Sequence, residues 1–101
     1  MAVICTGERR VMTASITGEV DHHRAREIME ELGRHIDAAL PRELILDLEG
    51  VTFMDSSGIA VLLRAHRRLE ELGGRVRVIH VPEQAGKVLR TAGVQRLIPL
   101  E

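Results

Sequence analysis

Leu44, Ile45, Leu46 and Leu48 form a nearly continuous apolar run interrupted only by Asp47. A run of this kind suits a strand covered on both faces, in the middle of a sheet. The segments on either side have helical periodicity instead. From His22 to Leu40, the residues Ala25, Ile28, Met29, Leu32, Ile36, Ala39 and Leu40 recur on one helical face. Glu27, Glu30 and Glu31 lie on or near the other face, with Glu30 spaced to pair with Arg34. Asp21 is placed to cap this helix and Pro41 to end it. After the apolar run a second helix carries Ile59, Leu62, Leu63, His66, Leu69 and Leu72 on its apolar side and Arg64, Arg67, Arg68 and Glu71 opposite. Gly73-Gly74 supplies its left-handed stop.

A strand buried on both faces needs strand neighbours, and the flanking segments provide them. Ala2–Thr6 and Val11–Thr17 read as an antiparallel pair around a turn at Gly7-Glu8-Arg9-Arg10, with Gly18 ending the alternation. Val76, Val78, Ile79 and Val81 make a further strand. Pro82 then opens a short helix with Ala85, Val88, Leu89 and Ala92 inward and Gly93 at its end. Val94–Leu100 reads as a last short strand. The order β-β-α-β-α-β-α-β predicts an α/β fold: an open mixed sheet, its later strands parallel and joined by right-handed crossovers, with helices packed against it. No linker or repeat divides the chain, so residues 1–101 are expected to form one domain.

Composition narrows the function. The 101 residues carry 14 Lys+Arg against 15 Asp+Glu, a net charge of -1, without the cationic excess that nonspecific duplex binding requires. Phe53 is the sole aromatic, so a base-stacking platform is also excluded. The single cysteine, Cys5, allows no internal disulfide and reads as a strand residue rather than a reactive thiol. No apolar stretch approaches the ~20 residues of a membrane span, and no signal peptide is visible. By elimination the expectation is a cytoplasmic protein with no membrane or nucleic-acid partner.

Asp55-Ser56-Ser57-Gly58 stands where a strand ends and a helix begins. The carboxyl ends of strands are the usual functional edge of open α/β sheets, and a helix N-terminus stabilises phosphate. Two hydroxyls there, with a glycine permitting close backbone approach, suit a docking and modification site. Ser56 or Ser57 could equally do no more than cap the helix.

The stretch Leu46-Asp47-Leu48-Glu49-Gly50-Val51-Thr52-Phe53-Met54-Asp55-Ser56-Ser57-Gly58 resembles the signature of bacterial anti-sigma factor antagonists of the STAS family (sulfate transporter and anti-sigma factor antagonist). Thr17-Gly18-Glu19-Val20-Asp21-His22-His23 is similar to the family's loop after the second strand, and Leu72-Gly73-Gly74 and Ala92-Gly93 also match. Members commonly continue into a fourth helix, beyond where the resemblance ends at Glu101.

The resemblance implies that an anti-sigma factor, itself a serine kinase, phosphorylates Ser56. It implies further that Asp21, His22, His23, Asp55, Ser56, Ser57, Gly58 and Ile59 meet this partner. The unphosphorylated form would bind the anti-sigma factor and release sigma, the phosphorylated form would let go, and a serine phosphatase would reset it. Asp21 remains open to the plainer reading of an N-cap. Related domains serve instead as scaffolds or regulatory subunits of signalling assemblies and transporters, without such a switch.

Catalytic readings are weak. A nucleophile elbow needs glycines two residues before and after its serine; Ser56 has Met54 before and Gly58 after, and Ser57 has Asp55 and Ile59, so neither fits. No Gly-rich phosphate loop is present, so no nucleotide cofactor is expected. Adjacent His22 and His23 diverge by about 100° on a helix, and His35, His66 and His80 are isolated in sequence, so no metal site is expected. The Arg64, Arg67 and Arg68 face reads as solvated surface or, less simply, as a docking patch.

Overall fold

The computed structural model describes residues 3–8 and 10–101. Strands β1 (Val3–Glu8) and β2 (Val11–Ile16) form the antiparallel hairpin, followed by a short β3 (Gly18–Val20) and α1 (His22–Ala39). β4 (Glu43–Asp47) and β5 (Val51–Met54) precede α2 (Ser57–Glu71), and β6 (Arg75–Ile79) precedes α3 (Glu83–Thr91) and a 3-10 turn at Val94–Arg96. β1-β2-β4-β6 make a mixed sheet in which β2, β4 and β6 are parallel. The expected mixed α/β architecture is therefore present. Ala2, at the expected start of the first strand, and Arg9 in the turn lie outside the described residues.

Cross-strand register explains the core. Met12, Leu44 and Val76 lie side by side, as do Ala14, Leu46 and Val78, and all are buried. Ile28, Leu32 and Ile36 of α1, Val61, Leu62 and Leu69 of α2, and Leu89 of α3 join them in a single aliphatic cluster. The neighbouring register positions Thr13, Ile45 and Arg77 are only half-buried. β4 is thus covered fully on one face, not on both as its apolar run suggests. That second face instead carries a charged ladder in which Arg75 and Arg77 reach Glu43 at 3.0 and 3.9 Å, and Arg77 reaches Glu101 at 3.2 Å.

Several local expectations need correction. β2 and its alternation stop at Ile16, just before Gly18 as expected, but Gly18 (φ 87°) turns the backbone into an unexpected β3, which pairs in parallel with β5 as a separate two-stranded ribbon. Both strands are too short to show periodicity. Val94–Leu100 is not a strand; Val94–Arg96 is a 3-10 turn, and Leu100 makes an isolated parallel bridge to Val78. Ala39, Leu40 and Ala92 are exposed rather than inward, because each sits at the last turn of its helix, beyond the sheet's cover. α1 does stop before Pro41 as expected, with Leu40 as its C-cap in the left-handed conformation (φ 46°).

Glu31, expected outside, is buried on the flank of the apolar face of α1. Glu30 pairs with Arg26 at 3.4 Å, not with Arg34. Arg68 does more than face solvent: it pins α2 to α1 through Asp37 at 2.9 Å. Burial, and then the nearby Glu31 carboxylate, push the Cys5 thiol above its ordinary value, as suits a strand residue.

Candidate functional site

The β3–β5 ribbon sets two loops side by side. Val20 and Met54 are register partners at its end, and the Asp55 N–H donates to the Val20 carbonyl at 3.1 Å. Asp21 and Asp55 are the next residues, and each leads directly into a long helix. Two helix N-termini, with their exposed N–H groups and positive dipole ends, thereby converge at one spot.

At α1, Asp21 is extended (φ -116°, ψ 179°) and its Oδ1 accepts from the His23 and Arg24 N–H groups at 3.1 and 3.0 Å. The predicted N-cap is thus present. At α2, Asp55 takes the equivalent position. Its Oδ1 accepts from the Ser57 N–H at 2.7 Å, and its carbonyl accepts from the Gly58 N–H at 3.0 Å. Ser56 already has helical dihedrals (φ -61°, ψ -17°) and its side chain makes no capping bond. Ser56 is exposed and its side chain caps nothing, so the reading of Ser56 as a plain cap does not hold.

Asp55 also reaches across to the other helix, its Oδ2 accepting from the His22 N–H at 3.3 Å. Foremost the Ser57 N–H, then the Ser57 hydroxyl and the His22 N–H and ring, hold its carboxyl below the usual range, against an opposing effect of partial burial. The fixed anion therefore ties the two loops together directly beneath Ser56.

Of the remaining predicted residues, His22 and His23 are exposed, their rings 3.9 Å apart and tilted by 38°. Ser57 is half-buried and bonded to Asp55, and Ile59 packs half-buried against the core. Gly58 is buried, and a Cβ there would fall within 2.4–2.9 Å of the Met54 side chain. Its lack of a side chain accommodates Met54, not an approaching backbone.

One supporting residue has no signal in the sequence. Gln84, in the first turn of α3, accepts from the Met54 N–H through Oε1 at 2.8 Å and donates to the Met54 carbonyl through Nε2 at 2.7 Å. An amide side chain thus replaces a neighbouring strand on the free edge of β5, fixing the strand that presents Ser56.

The STAS domain pattern matches residues 3–101. The chain belongs to the STAS family. An anti-sigma F factor antagonist of Lysinibacillus sphaericus is 31% identical over 86 residues, covering 85% of this chain and 74% of that protein. Among solved structures, the anti-sigma factor antagonist SpoIIAA in its unphosphorylated form superposes with a TM-score of 0.83 at 26% identity, covering 99% of this chain and 88% of that one. The Bacillus cell fate determinant SpoIIAA in the phosphorylated form gives 0.74 at 26% identity, over 99% and 91%. The STAS fold seen here therefore matches that of a protein solved both with and without its phosphate.

Proposed function

We propose that this STAS protein is an anti-sigma factor antagonist, switched off by phosphorylation of Ser56. The observation that carries this reading is the Ser56 hydroxyl, exposed at a helix start whose capping is done by Asp55. The kin named as anti-sigma factor antagonists support the regulatory role.

The partner is an anti-sigma factor with serine kinase activity, and it supplies ATP, metal and base. The Ser56 oxygen attacks the γ-phosphorus, the O–P bond forms as the bond to the β-phosphate bridging oxygen breaks, ADP leaves, and the hydroxyl proton goes to the partner's base. This chain contributes a hydroxyl held in position by the β3–β5 ribbon, Asp55 and Gln84. His22, His23 and Ser56 form the exposed part of the docking surface, while Asp21, Asp55, Ser57, Gly58 and Ile59 shape it from below.

Phosphorylation adds about −1.5 to −2 charges. The two helix N-termini offset that charge within the free protein, so the fold changes little. At the interface the phosphate sits beside the Asp55 carboxylate and faces a partner pocket built for nucleotide phosphates. Each 1.4 kcal/mol of repulsion or desolvation there costs about tenfold in affinity. A serine phosphatase hydrolyses the ester and restores binding. The exchange is placed in the cytoplasm, where sigma factors act.

The test is incubation with candidate anti-sigma kinases and labelled ATP, followed by mapping of the modified residue. Ser56→Ala is expected to bind the kinase and stay unlabelled, and Ser56→Asp to fold but bind at least about tenfold more weakly. Labelling of Ser56→Ala at the wild-type rate would show that the acceptor lies elsewhere.

A further inference from the structure

Of the histidines that stand alone in sequence, His80 is not alone in the fold. It follows β6 in the left-handed conformation (φ 54°), and its Nδ1 lies 3.0 Å from Asp47 Oδ1 and 3.6 Å from Glu49 Oε1. One donor atom from each of these side chains falls within 4.8 Å of both others. The backbone holds the strand ends in place: Asp47 and Ile79 are register partners, and the Leu48 N–H donates to the Ile79 carbonyl at 3.1 Å. Asp47 is half-buried and further fixed by the Glu49 N–H on its Oδ1 at 3.0 Å.

We infer that Asp47, Glu49 and His80 form a binding site for a divalent cation of the zinc class. An imidazole nitrogen and two carboxylate oxygens are donors suited to such an ion, and the nitrogen favours it over Mg²⁺ or Ca²⁺. Ligand bonds of about 2.0–2.2 Å in a tetrahedron put donor atoms roughly 3.3 Å apart. The two His80 distances bracket that spacing. The carboxylates together carry more negative charge than one imidazolium would balance, and a divalent ion would match it. Glu49 is exposed with its carboxylate already turned toward His80, while Asp47 ends β4 and His80 directly follows the end of β6. Water fills the remaining coordination position. The ion would join the carboxyl ends of β4 and β6, outside the Ser56 loop, so the inference is independent of the proposed phosphoswitch.

Calorimetric titration of the full, untagged chain with ZnCl₂ tests it. One equivalent is expected to bind, with Glu49→Gln and His80→Gly each weakening affinity at least about tenfold. Glu49 is exposed and glycine tolerates the left-handed backbone at residue 80, so both variants are expected to keep the fold. Mg²⁺ and Ca²⁺ are expected to bind more weakly than Zn²⁺. Cys5→Ser and the double variant His22→Ala/His23→Ala are expected to retain full affinity, and the ring NMR signals of His80 to move with the first equivalent. Zinc affinity unchanged in Glu49→Gln and His80→Gly, loss of binding in the Cys5 or His22/His23 variants, or no binding up to millimolar zinc would each overturn the assignment.

Discussion

The starts of α1 and α2 are built alike and used differently. Each follows a strand of the same parallel ribbon, and each has an aspartate over the first turn and an exposed residue just behind it, His22 in one and Ser56 in the other. Asp21 caps its own helix, whereas Asp55 caps its own and also holds the His22 N–H of the neighbour. The α2 start alone has its strand clamped on the outer edge by Gln84. A helix start can thus be stabilised entirely by the residues around its first position, leaving that position open to chemistry.

Exchanging the exposed residues has the largest expected effect. In a His22→Ser/Ser56→Ala variant, a hydroxyl stands at the α1 start and none at the α2 start. Kinase labelling is expected to vanish; label appearing at residue 22 would mean that the local helix start, rather than docking around Ser56, selects the acceptor.

Removing the clamp is the next largest effect. Gln84→Ala deletes both bonds to Met54, at about 1 kcal/mol each, and leaves backbone groups unpaired. Urea denaturation is expected to show a loss of about 2 kcal/mol, with faster hydrogen exchange at the Met54 amide.

The caps themselves come next. Asp21→Ala is expected to cost about 1 kcal/mol, and Asp55→Ala to lower the urea midpoint further, because two helices lose a partner. Equal midpoints for the two variants would show that the Asp55–His22 bond contributes nothing.

The smallest effect is in acid. The Asp55 carboxyl is held below its ordinary range in the folded state, so its contribution is complete above the unfolded-state value and is lost as pH falls through the folded-state value. A melting series from neutral pH downward is expected to fall less steeply for Asp55→Asn than for wild type. Parallel curves would place the acid sensitivity elsewhere.

The same contrast separates what is local from what is not. The periodicity of α1 and α2, the Asp21 cap, the glycine stops and the position of Asp55-Ser56-Ser57-Gly58 at a helix start are written in residues a few positions apart. Local sterics and hydrogen bonds decide them, so they are legible before any fold is known. β3 and β5 escaped that reading because strands of three and four residues carry too little alternation. Glu31 and the one-sided cover of β4 escaped it because burial depends on what packs opposite.

The bonds that make the two sites reach further along the chain: 33 residues separate His22 from Asp55 and 30 separate Gln84 from Met54 in one, and 33 separate His80 from Asp47 in the other. The three helices, the four strands of the main sheet, the serine before the second long helix and the family likeness could all be read from the chain itself. That Asp55 serves two helices, that the Ser56 side chain makes no cap, and that His80 meets two carboxylates emerge with the folded chain alone. Each depends on strand order and register, which bring together side chains that no local rule relates.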